Sequence, residues 1–295
     1  MGDVPIVRYG GKGEMAPRLW GHFAPAHTYV EPFFGGGGMF FQIPRRYWQM
    51  FMVNDLEQRV VNFFQQLRDN GKELQRVCTL TPYSRAEYSA ARELSTDPLE
   101  EARRFFVVST QSFGGDYNKG HWSAAGAGGS VDRPRGYQNK AQQLLKFTEL
   151  LKGVAIDSRD AAVVVRRFLS PDAFIYSDPP YVHATREGAP DRYVHEMTDE
   201  QHRELAAAHH EADLSGAKVC ISGYASALYA ELYKGWRTVD IQCASSAGMA
   251  EDGARPMRTE RLWMNYPESA ELGVAAPPKY TPKTARERQM AKGLR

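Results

Sequence analysis

Thr28-Tyr29-Val30-Glu31-Pro32-Phe33-Phe34-Gly35-Gly36-Gly37-Gly38-Met39-Phe40-Phe41 reads as a strand, a glycine turn and the opening of a helix. Nucleotide-type cofactor sites use this layout, because glycine lacks a Cβ and lets the backbone approach a ligand closely. The dinucleotide fingerprint is absent: no clean Gly-x-Gly-x-x-Gly occurs, although Asp55 stands about twenty residues on, where an acidic ribose ligand would fall. A P-loop is also absent, since Gly11-Lys12 lacks the upstream glycine and the following Ser or Thr. A plain connecting turn is the other reading of such a stretch.

A second stretch carries chemistry of its own. Ala173-Phe174-Ile175-Tyr176 is an apolar strand, and Ser177-Asp178-Pro179-Pro180-Tyr181 follows it. An ionised Asp178 only accepts hydrogen bonds, and the backbone carbonyl at Pro179 is a second acceptor. Two prolines fix their own φ angles and bias their predecessors to extended geometry, so the acceptors sit on a stiff turn. Tyr181 adds a flat face for stacking. An aromatic base bearing an exocyclic amine fits all three features, and an ordinary turn after a strand fits them too.

Outward from these two stretches, strands and helices alternate. Met50-Phe51-Met52-Val53 predicts a strand, and the apolar spacing of Leu56, Val60, Val61, Phe63, Phe64 and Leu67 predicts a helix over 56–69, with the Phe pair in the core. Residues 71–110 read as helical, broken at Thr81-Pro82 and Asp97-Pro98. Residues 112–136 are rich in Gly and Ala, and a segment so long and irregular is either functional or a mobile surface loop. A helix near 137–151, a strand at Val154-Ala155-Ile156 and a helix through Phe168 lead to the strand at 173–177. Thr198-Asp199-Glu200-Gln201 predicts a capped helix start. Strands follow at Ala217–Ser222, around Val239 and at Leu262–Tyr266, with a short helix between the first two. Such alternation argues a layered α/β sheet with ligands at the carboxyl ends of its strands.

Composition bounds the reading. Thirty-seven basic residues against thirty-five acidic ones argue against wholesale wrapping of nucleic acid but permit a local basic cleft. The three cysteines, Cys78, Cys220 and Cys243, are far apart and lack metal spacing, so reduced thiols in a cytosol are expected. The eight histidines form no metal motif, and His209-His210 is expected on a helix surface. No run of about twenty apolar residues predicts a membrane span. Beyond Pro267 periodicity is lost. Residues 277–295 carry Lys279, Lys283, Arg286, Arg288, Lys292 and Arg295 against Glu287, the pattern of a basic, flexible tail.

Tyr9-Gly10-Gly11-Lys12, Glu31-Pro32-Phe33-Phe34-Gly35-Gly36-Gly37, Val53-Asn54-Asp55-Leu56 and Asp178-Pro179-Pro180-Tyr181 together resemble the ordered motifs of Dam-type DNA adenine methyltransferases, the phage and prophage versions above all. Tyr193-Val194-His195-Glu196-Met197-Thr198, Ile221-Ser222-Gly223-Tyr224 and Glu260-Arg261-Leu262-Trp263 extend the resemblance over about residues 5–266. It implies a Rossmann-like α/β sheet ending in an antiparallel strand, S-adenosyl-L-methionine as cofactor, and methylation of the exocyclic N6 amine of a flipped adenine in double-stranded DNA. No metal or membrane partner is implied, and the expected compartment is the cytoplasm, a bacterial or phage-infected host cytosol.

The same resemblance divides the chain into a cofactor-binding part (1–56), a helical target-recognition insertion (57–140), a catalytic part of the same domain (141–266) and the tail (267–295). It assigns catalysis to Asp178, Pro179, Pro180 and Tyr181. Cofactor contacts fall to Arg8, Tyr9, Lys12, Glu31, Phe33, Gly35, Gly37, Asp55, Asp160 and Asp178, with Asp55 on the ribose and Asp160 beside the cofactor's adenine. Arg8 stands where the family often carries an aromatic residue. The position of 112–136 implies DNA contact by Tyr117, Lys119, His121, Trp122, Arg133 and Arg135, and His183, Arg186, Arg192 and Tyr193 follow the catalytic turn, although a solvated loop explains either segment as well. Methylation of the cytosine N4 amine, of RNA or of a protein amide remains a rival, as does a cofactor-binding DNA regulator without catalysis. Asp178 favours adenine through the resemblance, since related cytosine-amine enzymes usually carry Ser there.

Overall fold

A computed structural model describes residues 4–8, 10–118, 120–124, 132–185, 194–244 and 257–268. A one-turn helix, α1 (Ala16–Leu19), precedes strands β1 (Thr28–Glu31) and β2 (Met50–Asn54). Then come α2 (Gln58–Asp69), α3 (Gly71–Leu80), α4 (Arg85–Ala90), α5 (Pro98–Gln111), α6 (Arg133–Gln142) and α7 (Leu144–Leu151). The second half alternates β3 (Val154–Asp157), α8 (Ala161–Arg166), β4 (Ala173–Ser177), α9 (Asp199–Leu214), β5 (Lys218–Gly223), α10 (Ala227–Leu232), β6 (Arg237–Ala244) and β7 (Met257–Met264).

The strands form one sheet in the order β3-β2-β1-β4-β5-β7-β6. The first five are parallel, with Thr28 opposite Ala173 and Val30 opposite Ile175 where β1 meets β4. β7 runs antiparallel between β5 and β6, as the resemblance implies. Chain order reverses between β1 and β4, so their carboxyl ends open the crevice where ligands of such sheets bind. β1 ends there in Glu31 and the glycine turn; β4 ends there in Asp178.

β4 is buried along its whole length, and its alternate residues serve two cores. Phe174 and Tyr176 face a cluster that runs through Phe63, Phe64, Phe105 and Phe106 into the helices between β2 and β3. Ala173 and Ile175 face a smaller cluster with Val164, Val165, Leu205 and Ala208 of α8 and α9. Each fully buried phenylalanine contributes roughly 1.5–3 kcal/mol, so the aromatic-rich α2–α5 contact is the larger anchor. The Phe63-Phe64 pair lies in the core, as expected.

Three local expectations are corrected. Met39-Phe40-Phe41 opens no helix. The segment makes turns, with Phe41 N–H on the Gly37 carbonyl and Ile43 N–H on Met39. Gly37 has φ +71°, outside the helical region, and Pro44 disfavours helix in the residue before it, so no room is left for one. The helix expected near 137 starts at Arg133, because Asp132 accepts the Arg135 N–H as an N-cap and Pro134 suits the first turn. It also breaks at Gln143, which separates α6 from α7. His209 is fully buried rather than on the surface of α9: its ring meets the Ser177 hydroxyl at 2.9 Å and the Tyr233 hydroxyl at 3.1 Å, which satisfies both nitrogens. His210 is half-buried on the Leu232 carbonyl. The capping box at Thr198 and Gln201 forms with both reciprocal bonds.

Candidate active site

Asp178 leaves the end of β4 into a network of charges. Its Oδ1 accepts from Lys12 Nζ at 2.8 Å and from Ser222 Oγ at 3.0 Å. Ser222, at the end of β5, is itself oriented by the Tyr176 hydroxyl at 2.9 Å. Among the described residues, nothing donates to Oδ2. Lys12 is 4% exposed; its ammonium also lies 3.2 Å from Glu260 Oε1 and donates to the Tyr181 hydroxyl. Tyr181 in turn donates to Glu260 at 3.0–3.2 Å. Burial alone would lower the Lys12 pKa, but Asp178 and then Glu260 outweigh it and hold the ammonium well above the ordinary lysine range. Burial raises Glu260 above the usual carboxylate range, against the pull of Lys12. The Tyr181 ring packs on Tyr224 with centroids 4.3 Å apart, and Arg258 lies over Tyr224.

The glycine turn does two jobs. Gly35, at φ +55°, donates its N–H to Asp55 Oδ2 at 2.8 Å, and Glu57 N–H reaches Asp55 Oδ1 at 2.9 Å. Asp55 is thus fixed by backbone donors at the end of β2 while lone pairs remain free. At Gly38 a Cβ would fall 2.9 Å from Gly13 N and 3.2 Å from Lys12 N. The close approach therefore admits the Lys12 segment itself, and Gln42 clasps it by donating to the Gly13 and Gly38 carbonyls, both at 2.7 Å. Asn54, which the sequence alone does not single out for a role, stitches three strand ends. Its Nδ2 donates to the Pro32 and Arg159 carbonyls at 2.9 Å, and its Oδ1 accepts the Arg159 N–H at 2.8 Å.

A cavity of about 170 Å³ joins these parts. Arg8, Lys12, Glu31, Phe33, Gly35, Asp55, Asp160, Asp178 and Pro180 line it. Gly37 and Pro179 lie outside its lining, Tyr181 sits on the Glu260 side of Asp178, and Tyr9 lies outside the described residues. Glu31 is buried against the Tyr29 hydroxyl at 2.8 Å, and burial holds its carboxyl well above the usual range. Asp160 caps α8 by accepting from Ala162 N–H and Val163 N–H. Arg8 pairs with Glu57 at 2.9 Å. Sequence reasoning missed the opposite wall, made by His195, Glu196, Met197, Gln201 and Glu204. The motif 193–198 was the only signal for it. Leu56, expected on the apolar face of α2, instead precedes that helix, 46% exposed and on the cavity wall.

The residues expected on DNA separate into groups. Tyr117 and Trp122 turn inward. The Tyr117 hydroxyl donates to Glu57 and its ring packs on Phe105, with Arg8 over its face. Trp122 donates to Gln111 at 3.1 Å and packs on Tyr83. Arg133 and Arg135 lie in the first turn of α6, Arg133 over the exposed Phe113 ring and Arg135 78% exposed. His183 and His121 are exposed. Lys119, Arg186, Arg192, Tyr193 and the tail from 269 lie outside the described residues. Among the described residues, no group of three or more His, Cys, Asp or Glu is placed to hold a metal, and no helix is long and apolar enough to cross a membrane.

Residues 9–243 match the family of D12 class N6 adenine-specific DNA methyltransferases. The chain is 28% identical over 284 residues to the type II methyltransferase M1.LlaDCHI of Lactococcus lactis subsp. cremoris, covering 89% of this chain and 95% of that protein. It is 22% identical over 259 residues to the type II methyltransferase M.MjaIII of Methanocaldococcus jannaschii, covering 81% and 88%.

Proposed function

Because the chain belongs to the D12 class N6 adenine-specific DNA methyltransferase family, we propose that its cavity binds S-adenosylmethionine and that Asp178 receives the target amine. The observation that carries this reading is the single cavity reaching from Asp55, below the glycine turn, to Asp178 at the end of β4. Its chemistry suits that cofactor. Acidic side chains at Glu31, Asp55, Asp160, Asp178, Glu196 and Glu204 surround a space whose cations, Arg8, Lys12 and Arg159, are already paired with Glu57, Asp178 and Asp157. A ligand bearing ribose hydroxyls and two positive centres fits such walls.

When bound, S-adenosylmethionine supplies an electrophilic methyl group on a sulfonium. Asp55 accepts from the ribose hydroxyls through its free lone pairs. A base in a duplex must be extruded, at a few kcal/mol, and the Tyr181 ring offsets this by stacking, about 1–3 kcal/mol for such platforms. Asp178 Oδ2 and the Pro179 carbonyl accept the two amine hydrogens. The nitrogen lone pair is thereby aimed at the methyl carbon, and the positive charge that grows on nitrogen is stabilised by fixed acceptors. In the transfer an N–C bond would form as the S–C bond breaks, the sulfur would keep that electron pair, and the proton lost by the amine would pass to water. Positioning supplies much of the rate, and no covalent bond to the enzyme is needed.

We assign 1–56 and 141–266 to one catalytic domain and 57–140 to target recognition on double-stranded DNA. Arg133, Arg135 and His183, with Lys119 and Arg186, serve as its phosphate partners, while Tyr117 and Trp122 brace that region from within. The test is to incubate the protein with S-adenosylmethionine and DNA of varied sequence, digest to nucleosides and identify the product by mass spectrometry. N6-methyladenine is expected. N4-methylcytosine alone would overturn the adenine reading, and calorimetry showing no cofactor binding would overturn the cavity's assignment.

A further inference from the structure

Glu260 is an acid where the fold alone calls for an apolar side chain. Side chains two apart on a strand share a face. On β7, Met264 and Leu262 are fully buried in the larger core, and Glu260 is next in that row at 1% exposure. Burying a carboxylate costs several kcal/mol unless partners compensate, and an apolar replacement of such a pair is often neutral or stabilising. The partners here all belong to the site. Oε1 meets Lys12 Nζ at 3.2 Å, and both oxygens accept from the Tyr181 hydroxyl. The antiparallel course of β7 makes this possible. Arg261 pairs with Gly223, the last residue of β5, so Glu260 comes just past the carboxyl end of that strand, at the same end of the sheet as Asp178.

We propose that Glu260 is a positioning residue for methyl transfer: it anchors the Lys12 ammonium and the Tyr181 hydroxyl, and through Lys12 it sets the orientation of Asp178. The role rests on the reading above, in which Asp178 receives the adenine amine. An ammonium paired with Asp178 alone is free to swing between its two oxygens, where it would compete with the amine for Oδ2. Shared with Glu260, Lys12 is held on the Oδ1 side, and Ser222 donates to that same oxygen. Oδ2 is left for the substrate. The same carboxylate fixes the Tyr181 hydroxyl, so one side chain sets both the acceptor and the stacking ring.

The experiment uses the full chain, saturating S-adenosylmethionine and adenine-containing DNA. It compares the parent with Glu260→Gln, Lys12→Met and the double variant. Glu260→Gln is expected to lower the single-turnover rate of N6-methyladenine formation by about tenfold or more. Its cofactor affinity by calorimetry and its DNA KM should stay within about threefold of the parent, a split that general loosening of the fold would not give. Because Glu260 acts through Lys12, adding Glu260→Gln to Lys12→Met should cost less than about threefold further. If Glu260→Gln does not fold, Glu260→Met, apolar like its neighbours on β7, is read in the same way. A parent rate in the folded variant, or losses that simply multiply in the double variant, would overturn the role alone. A parent protein that yields no N6-methyladenine would overturn the reading of Asp178 and this role with it.

Discussion

At Asp178 the two hydrogen bonds from described residues both enter through Oδ1, so the carboxylate is anchored on one side and presents the other. Tyr181 is bound into the same network, and this makes its hydroxyl and its ring separable. Tyr181→Phe keeps the stacking face but removes the hydroxyl that bonds both Lys12 and Glu260. Its rate should fall several-fold while a fluorescent adenine analogue still reports base extrusion. Tyr181→Ala should lose the extrusion signal, and equal signals from both variants would remove the ring from base capture. His209 should contribute to acid unfolding. Burial first, and His210 second, depress its pKa to about 3 from an ordinary 6.5. The unfolded chain then binds the extra proton, so stability present above pH 6.5 is lost as pH falls toward 3, by up to the order of 5 kcal/mol at about 1.4 kcal/mol per unit. Denaturant unfolding across that window should show a shallower acid limb for His209→Gln, and identical limbs would exclude His209 as the source.

Among the elements, the glycine turn and the end of β4 were legible from sequence because local rules govern them: glycines for a close approach, prolines for a stiff turn, an apolar run for a strand buried on both faces. The purpose of that close approach was not legible. Gly38 makes room for the backbone of Lys12 and Gly13, a contact between segments some twenty-five residues apart in sequence that no local pattern encodes. Gly38→Ala should therefore displace the Lys12 turn. Methyl transfer should drop by about tenfold or more, with a measurable loss of thermal stability as well, because the clash is with backbone rather than with a flexible side chain that could give way; an unchanged rate would mean the turn yields freely. Glu260 was hidden for a related reason. It reaches the site only because β7 is inserted antiparallel between β5 and β6, and sequence spacing does not reveal that neighbour. His209 was misplaced because the helical pattern of α9 does not tell that Ser177 and Tyr233 meet its ring. Asn54 stood in a motif, but its bonds to the ends of β1 and β3 exist only in the assembled sheet.

For the whole molecule, the near balance of charge leaves DNA binding to local placement rather than to bulk attraction. Half-buried Arg133 and exposed Arg135 open α6 beside Phe113, in the part of the chain proposed for target recognition. Replacing both with Ala should weaken DNA binding and flatten its dependence on salt by about one to two units of slope. Binding that matches the parent at every salt concentration would exclude these arginines as phosphate partners. The central claim is that the cofactor cavity and Asp178 form one active site for adenine. Its most direct test is single-turnover transfer from S-adenosylmethionine labelled in its methyl group, comparing the parent with Asp178→Ala, both saturated with cofactor and DNA. The parent should place the label on adenine N6, and the variant should bind both ligands yet form no labelled N6-methyladenine. Labelled N6-methyladenine formed by Asp178→Ala at the parent rate would contradict the account.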